Sequence, residues 1–586
     1  MALPLDADDF RFLHLPSSPR PDLRIVEQLP PDTAFDVETT GLFLQAVLDT
    51  LGQAVRSPAH IASAVGGLAG GLLSATVAMA GRAIGRETPG PITPGRDARF
   101  ADPTWEGNPA YWWLRQIHLL NERFLQDVIE AAPLQCTTRE KAKFAASLVS
   151  DTLSPTNTLP GNPAALKRAF ETRGQSLVKG FGAMVGDITR NGGWPTQVDN
   201  TQFEVGRNIA CTPGRVVYRS ELFELIQYSP TTEQVHEIPL LFCPPWINKF
   251  YIFDLSPGRS LIEWAVAHGH TTFAISYRNP DASLRDASFT DYVTRGPLEA
   301  VRVVKEITGV DLVNTMSVCL GGTLTAFGMA YEAAKGERSI NSATMINTHT
   351  DFTRPGILGV FTDERTVGLV ERHMLATGSL SHKRVARAFS LIRANDLIFD
   401  YVVKSWMMGQ APPAFDLLAW NDDGTDMPPR LHADFLRWCY LENRFAEGRM
   451  EVGGTLLEPR DVEASTYIVS AVNDHIVPWE SAYQTPHVLG GDDHRFVLST
   501  GGHIAAIVNP PSPKSRYWTN EALPAEADAW LAGADQVNGT WWDDWATWIS
   551  ERAGTMVDPP RNLGSDQHPP LGDAPGVYVM REPAPV

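Results

Sequence analysis

The strongest constraint on this chain is the run Leu312-Val313-Asn314-Thr315-Met316-Ser317-Val318-Cys319-Leu320-Gly321-Gly322. Leu312 to Val318 reads as a buried strand, and Thr323 to Ala334, rich in alanine and leucine, reads as a helix. So little chain lies between them that the backbone must pass from strand to helix in one sharp turn at Cys319. Such a turn lifts its central side chain clear of a sheet and faces the first helical amide toward a substrate oxygen. The usual pattern for a nucleophile in this position is Gly-x-Ser-x-Gly. Here the order is Ser317-Val318-Cys319-Leu320-Gly321, with a thiol for the hydroxyl and a serine for the first glycine. A structural cysteine buried beside a tight turn fits the same pattern, so the rest of the chain has to decide.

Beyond about Glu237 short apolar runs alternate with helical patterns. The runs are Ile238–Cys243, Thr271–Tyr277, Leu312–Val318, Ala343–Asn347, Thr466–Ala471 and Arg495–Leu498. That alternation predicts an α/β fold with a mostly parallel sheet and helical crossovers. It fails between about 355 and 446, an aromatic block holding Trp406, Phe415, Trp420, Phe435, Trp438 and Tyr440. An insertion there reads as a lid over the strand ends, where α/β sheets place their sites. The expected domains are a flexible segment over 1–96, a mainly helical domain over 97–235, and a catalytic domain over 236–586. Within the first segment, Ile61 to Ala80 is uncharged. Its Ile61, Val65, Leu68, Leu72 and Met79 recur at helical spacing, which predicts an amphipathic helix packed on a partner or an apolar surface rather than a membrane span. Residues 1–40 read as loosely ordered. Near the carboxyl end, Trp541, Trp542, Trp545 and Trp548 read as a terminal helix packed on the domain.

A cysteine nucleophile needs a base, and the base an orienting acid. Asp474 follows the run Thr466–Ala471, and His503 sits on a Gly-Gly loop just past Arg495–Leu498. The order nucleophile, acid, histidine is that of the α/β-hydrolase arrangement. His475, adjacent to Asp474, is the rival base, with His494, His349 and His432 behind it. Asp492 and Asp493 precede the last strand and are the weaker acids. For an oxyanion hole the chain offers the amide of Leu320 and one from Pro244-Pro245-Trp246-Ile247; the prolines have no amide, leaving Trp246 or Ile247. A thiol also suits acyl transfer, because exchanging one thioester for another keeps the acyl group activated.

A net charge of −19 argues against a nucleic-acid binder. Five scattered cysteines, Cys136, Cys211, Cys243, Cys319 and Cys439, have no metal-ligand spacing and no even count for a disulfide framework, which suits a reducing compartment. The acidic amino terminus has none of the features of a secretory signal.

Several segments together resemble the poly(3-hydroxyalkanoate) synthases. They are Pro244–Leu255, Ser276-Tyr277-Arg278-Asn279-Pro280, Arg393-Ala394-Asn395-Asp396-Leu397, Phe415–Asn421, Asn473-Asp474-His475-Ile476, Gly502-His503-Ile504-Ala505 with Val508-Asn509-Pro510-Pro511, Arg99–Trp105, Asn108-Pro109 and Trp541–Trp545. The resemblance covers roughly residues 97 to 580. It implies an α/β-hydrolase core with a lid, and polymerisation of (R)-3-hydroxyacyl-CoA with release of CoA. Cys319 would then be the acylated nucleophile and His503 its base, with Asp474 helping His503 to activate the next hydroxyl. It implies no metal or cofactor beyond the CoA thioester substrate, and a homodimer on polyester granules in the cytoplasm. The lid resembles that of synthases for short units such as 3-hydroxybutyryl-CoA. Ser317, Tyr277 and Ala394 depart from the glycine, tryptophan and proline common in the family. A cysteine thioesterase, a polyester hydrolase and a non-catalytic granule protein are the alternatives.

Overall fold

The computed structural model describes residues 31–54, 56–508 and 510–580. Most of the segment expected to be loosely ordered, 1–30, and Asn509 of the resembling motif lie outside them. The chain divides into two compact units. The first comprises the chain up to Pro195 together with Gly368–Ala376 and Leu391–Gln410; the second takes the remainder.

The first unit is helical: α1 Pro31–Ala54, α2 Pro58–Ala83, α3 Pro109–Ala131, α4 Cys136–Thr152, α5 Pro163–Glu171 and α6 Gln175–Arg190. Helix starts follow the local chemistry. Asn108 accepts from the amides of Ala110 and Tyr111 ahead of Pro109, and Asn162 accepts from Ala165 ahead of Pro163. Within the 1–96 segment, α1 takes up residues 31–40 that read as loosely ordered, and α2 spans the stretch Ile61 to Ala80 read as a helix. By length and composition α2 could cross a membrane. Its small-residue face instead lies on α3. Ala64, Ala75 and Ala78 are buried, and a Cβ on Gly71 would stand 2.4 Å from Leu120 Cδ2. Trp113 Nε1 donates to Thr76 Oγ1 at 3.1 Å, and the Arg82 guanidinium lies 4.4 Å over the Trp112 ring.

The second unit is built on one eleven-stranded sheet. Its strands are β1 Gly214–Arg219, β2 Phe223–Tyr228, β3 Leu240–Cys243, β4 Thr272–Tyr277, β5 Val313–Val318, β6 Ile340–Ile346, β7 Ser465–Ala471, β8 His494–Ser499, β9 Arg516–Thr519, β10 Asp535–Asn538 and β11 Gly572–Asp573. The spatial order is β10-β9-β8-β7-β6-β5-β3-β4-β2-β1-β11. The middle six, β3 to β8, are parallel, and both flanks are antiparallel. All six expected runs are strands of this parallel centre, with β6 starting earlier than predicted. Central parallel strands are covered on both faces, which is why they read as apolar runs. This order, a sharp strand-helix turn after β5, and a helical insertion between β6 and β7 make the unit an α/β-hydrolase core.

The boundary expected at 235/236 falls inside the second unit. β1 and β2 belong to its sheet, and β2 pairs with β4 from Phe223 opposite Tyr277 to Gln227 opposite Phe273. Nor does the whole insertion over 355–446 belong to one unit: Gly368–Ala376 and Leu391–Gln410 group with the first. There, Trp406 Nε1 donates to Asp187 Oδ2 of α6 at 2.7 Å, and Gly180 has no room for a Cβ against the Trp406 carbonyl.

Register aligns the functional ends of the strands. Cys243 pairs with Ser317, Val318 with Ile346, Ile346 with Val469, and Ala471 with Ser499. The loops leaving β3, β5, β6, β7 and β8 therefore open on the same edge of the sheet. Below it, Trp541, Trp542, Trp545 and Trp548 of α7 (Trp541–Ser550) are buried, as the sequence predicts.

Candidate active site

Cys319 leaves β5 with φ 52° and ψ −123°, and Leu320 opens α8 (Leu320–Lys335). (α8 is the helix of the sharp turn.) A left-handed backbone is strained for a non-glycine residue and survives only where the surroundings over-determine it. Here they do. The Cys319 amide donates to Ile346 O at 2.9 Å, while its carbonyl accepts from the amides of Gly322 at 3.0 Å and Thr323 at 3.3 Å and from Thr348 Oγ1 at 3.2 Å. Gly321 is demanded by contact rather than by dihedral: a Cβ there would stand 2.2 Å from Cys243 O. Ser317, in place of the usual glycine, is fully buried, and its hydroxyl donates to Thr344 O of β6 at 2.9 Å. Its side chain is thus absorbed by the neighbouring strand.

The structure brings His503 to Asp474. The Nδ1 of His503 lies 2.7 Å from Asp474 Oδ2. The other carboxylate oxygen, Oδ1, accepts the amides of Ile476 at 2.8 Å and Val477 at 2.9 Å. With Nδ1 engaged by the acid, Nε2 is left for Cys319, whose thiol is within hydrogen-bonding reach of the ring. Burial opposes the charged imidazole, but the charges of Asp474 and Cys319 and its hydrogen bonds to both outweigh it, pushing His503 up to about 10. Burial likewise opposes ionised Asp474, yet His503 and the two amides hold it below the ordinary carboxylate value. The arrangement sets the Cys319 sulfur at a helix amino terminus beside a histidine whose charged form is favoured.

The rivals fall elsewhere. His475 follows Asp474 in sequence, but both carboxylate oxygens are engaged by His503 and the Ile476 and Val477 amides. His494 Nδ1 meets Thr466 Oγ1 at 2.7 Å at the start of β8, the opposite end of the strand from His503. Asp493 there bonds Ser465 and Arg552. His432 is buried in the insertion and pulled down to about 4 by desolvation.

Leu320 is the first residue of α8, so its amide has no intrahelical acceptor. Trp246 and Ile247 lie in the loop leaving β3, on the same sheet edge. Sequence reasoning missed Asn347, and it named His349 only as a rival base and Tyr440 only as an aromatic of the insertion. Asn347, with φ 48°, donates its side-chain amide to the His503 carbonyl, and so ties the β6 loop to the histidine loop. His349 is buried, bonds Ser481 Oγ at 2.9 Å and is pulled down to about 4, mainly by burial. Tyr440 ionises with difficulty because of burial and the charges of Cys319, Cys439 and Asp474, and its ring centroid lies 6.5 Å from that of His349. Its ring centroid lies 5.0 Å from that of Phe352 and 5.3 Å from that of Phe435. Only the aromatic content of the insertion hinted at it. From below, Trp541 Nε1 of α7 donates to Ala506 O at 2.9 Å, bracing the His503 loop. Among the described residues no cluster of three or more histidine, cysteine or acidic side chains is arranged to hold a metal.

Comparison with known proteins adds the following. A family model described as poly-beta-hydroxybutyrate polymerase (PhaC) N-terminus matches residues 96–265. The poly(3-hydroxyalkanoate) polymerase subunit PhaC of Cupriavidus necator is 40% identical over 501 residues, covering 84% of each chain. Poly(3-hydroxyalkanoate) polymerase 2 of Ectopseudomonas oleovorans is 40% identical over 530 residues, 90% of this chain and 92% of its own. The Methylorubrum extorquens polymerase is 41% identical over 491 residues, 83% and 81% respectively. Among solved structures, the monoacylglycerol lipase of Paleococcus ferrophilus aligns over 56% of this chain and 98% of its own, with 12% identity and a TM-score of 0.31.

Proposed function

Because this chain belongs to the poly(3-hydroxyalkanoate) polymerase family, we propose that it polymerises (R)-3-hydroxyacyl-CoA into a polyester through an acyl group carried on Cys319. The observation that carries the residue assignment is the short His503–Asp474 contact behind a cysteine held at a left-handed strand-helix turn. In the first half-reaction the Cys319 thiol gives its proton to His503 Nε2, and the thiolate attacks the thioester carbonyl. The oxyanion forms against the amide of Leu320 and that of Trp246 or Ile247. The C–S bond to CoA breaks, and the departing thiolate takes the proton from His503. In the second, the 3-hydroxyl of another unit loses its proton to His503 and attacks the acyl-cysteine. A new ester bond forms, the C–S bond to Cys319 breaks, and the Cys319 sulfur recovers the proton from His503; the lengthened acyl-CoA then re-enters the first half-reaction, which returns the chain to Cys319 and releases CoA. Asp474 holds His503 in one orientation and favours its charged form throughout.

Water would end the cycle as a free acid. Phe435 and Tyr440 of the insertion and Phe352 of the loop after β6 pack into one aromatic cluster, and on this reading that cluster helps to keep water from the acyl-cysteine. The substrate class and attachment to polyester granules follow the family. A homodimer, a cytoplasmic setting, freedom from metal or other cofactors and preference for 3-hydroxybutyryl-CoA complete the proposal. The test incubates purified protein with 3-hydroxyacyl-CoA of four, six and ten carbons, follows CoA release and weighs the product. Insoluble polyester, formed fastest from the four-carbon substrate, is expected. Free acid as the only product would instead make the protein a thioesterase. Fastest turnover of the ten-carbon substrate would overturn the short-chain assignment alone.

A further inference from the structure

The loop that leaves β3 carries an amide proposed for the oxyanion hole, yet what holds that loop is the insertion. Trp420 Nε1 donates to Lys249 O at 2.8 Å, and Thr425 Oγ1 donates to Trp246 O at 2.8 Å. Between these points Asn248 and Gly424 form an isolated antiparallel bridge. Lys249 Nζ pairs with Asp423, which also accepts the Tyr251 hydroxyl at 2.8 Å. The far end of the strip is fastened in turn: the Asp426 amide donates to Asn279 Oδ1 at 2.9 Å, and the His382 amide to Asp426 Oδ1 at 2.8 Å. Trp420, Thr425, Asp426 and Lys249 are all buried.

One of these bonds has a direct stereochemical consequence. The carbonyl of Trp246 and the N–H of Ile247 belong to the same planar trans peptide and point in opposite directions. A hydroxyl that grips the carbonyl therefore aims the amide. We propose that Thr425, held by the strip Trp420–Asp426, is a positioning residue that orients the Ile247 amide as the second oxyanion donor. The triad is held separately, by the sheet loops, by Asn347 and by α7. A shift of the strip would thus remove an oxyanion donor and leave Cys319, His503 and Asp474 in place. This inference rests on the acyl-cysteine reading and on the oxyanion loop within it.

The test compares two reactions of Cys319. Acylation develops an oxyanion, whereas alkylation by iodoacetamide does not. In Thr425→Val the burst of acylation by (R)-3-hydroxybutyryl-CoA, and by p-nitrophenyl butyrate as a small activated ester, should fall about 10- to 100-fold, less than the loss of a whole donor. KM and the alkylation rate should stay near wild type. Thr425→Ser, which restores the hydroxyl, should recover most of the acylation rate, and Asp423→Asn should show the same split as Thr425→Val in milder form. A parallel fall of acylation and alkylation would overturn the proposal, as would unchanged acylation in Thr425→Val or no recovery with serine. Should wild-type protein take the activated ester but form no polymer, the polymerase reading fails while the variant comparison still judges Thr425.

Discussion

Cys319→Ala is expected to lose both CoA release and polymer formation, by about six orders of magnitude as for the loss of a hydrolase nucleophile, while still unfolding cooperatively. The turn itself does not depend on the sulfur. Its backbone bonds to Ile346, Gly322, Thr323 and Thr348 all remain, and alanine meets no more strain at φ 52° than cysteine does. No other thiol can take over. Cys243 is buried at the end of β3 and pushed up to about 12 by desolvation, and Cys439 is buried and pushed up likewise. Cys211 is raised by burial and by the charges of Asp254 and Glu263, and Cys136 is exposed at the start of α4. Cys319→Ser should keep at most a trace, because an alcohol beside the same histidine stays almost wholly protonated at neutral pH. CoA release is measured with a thiol reagent and polymer by turbidity and mass. A tenth of wild-type release surviving in Cys319→Ala would exclude it as the nucleophile.

His503→Ala should slow acylation by about 10²- to 10⁴-fold, the range for a lost general base, with His475→Ala far milder. Rapid-quench measurement of the acyl-enzyme burst ranks the two, and the reverse order would show that the wrong histidine bears the role. Asp474→Asn separates two duties of the acid. If Asp474 mainly helps His503 activate the incoming hydroxyl, elongation should fall much more than acylation; if it only orients the ring toward Cys319, both should fall together. The electrostatics add a sign. His503 is raised above its ordinary 6.5 to about 10, so its stabilising contribution is complete below the ordinary value and fades as pH rises through about 10. Asp474 is lowered, so its contribution is present above its ordinary 3.8 and fades as pH falls through the lowered value. Without the carboxylate, burial pulls the imidazole down. Asp474→Asn should therefore lose stability at neutral pH, seen as a lower melting temperature there that converges with wild type in strong acid. Equal melting temperatures at neutral pH would contradict the ion pair.

The parallel centre of the sheet was legible because its strands are covered on both faces and leave unbroken apolar runs. The flanks were not. β1 buries only Val216 and Val217 between more exposed ends, and β2 carries Glu224 and Gln227 in its interior, which breaks the apolar signature. Glu224 is buried because Arg219 and the amides of Val577 and Tyr578 satisfy its carboxylate, a long-range pairing with no local mark in the sequence. α1 was hidden by its threonines and glycines, whereas α2 showed through the helical spacing of Ile61, Val65, Leu68, Leu72 and Met79.

For the site, Cys319, Asp474 and His503 each announced themselves by following a strand, and strand register brings the three loops to one edge. Their supports had no such signal. Asn347 is one polar residue after a strand, and Tyr440 and Thr425 arrive from an insertion that shares no periodicity with the sheet. The choice between Trp246 and Ile247 could not be made from residue types at all, since it depends on which way one peptide plane faces. Ser317 departs from the usual glycine of the turn, and what accommodates it is an acceptor on β6 for its hydroxyl.

The central claim is that the growing chain is carried on Cys319 and lengthened there. The most direct measurement quenches wild-type protein in acid at successive times after mixing with excess (R)-3-hydroxybutyryl-CoA, digests it and weighs the Cys319 peptide. A ladder of adducts on that peptide, each longer by one hydroxyacyl unit and lengthening with time, is the predicted result. A single hydroxyacyl adduct that never lengthens while free acid accumulates, or a ladder on any other peptide, would contradict it.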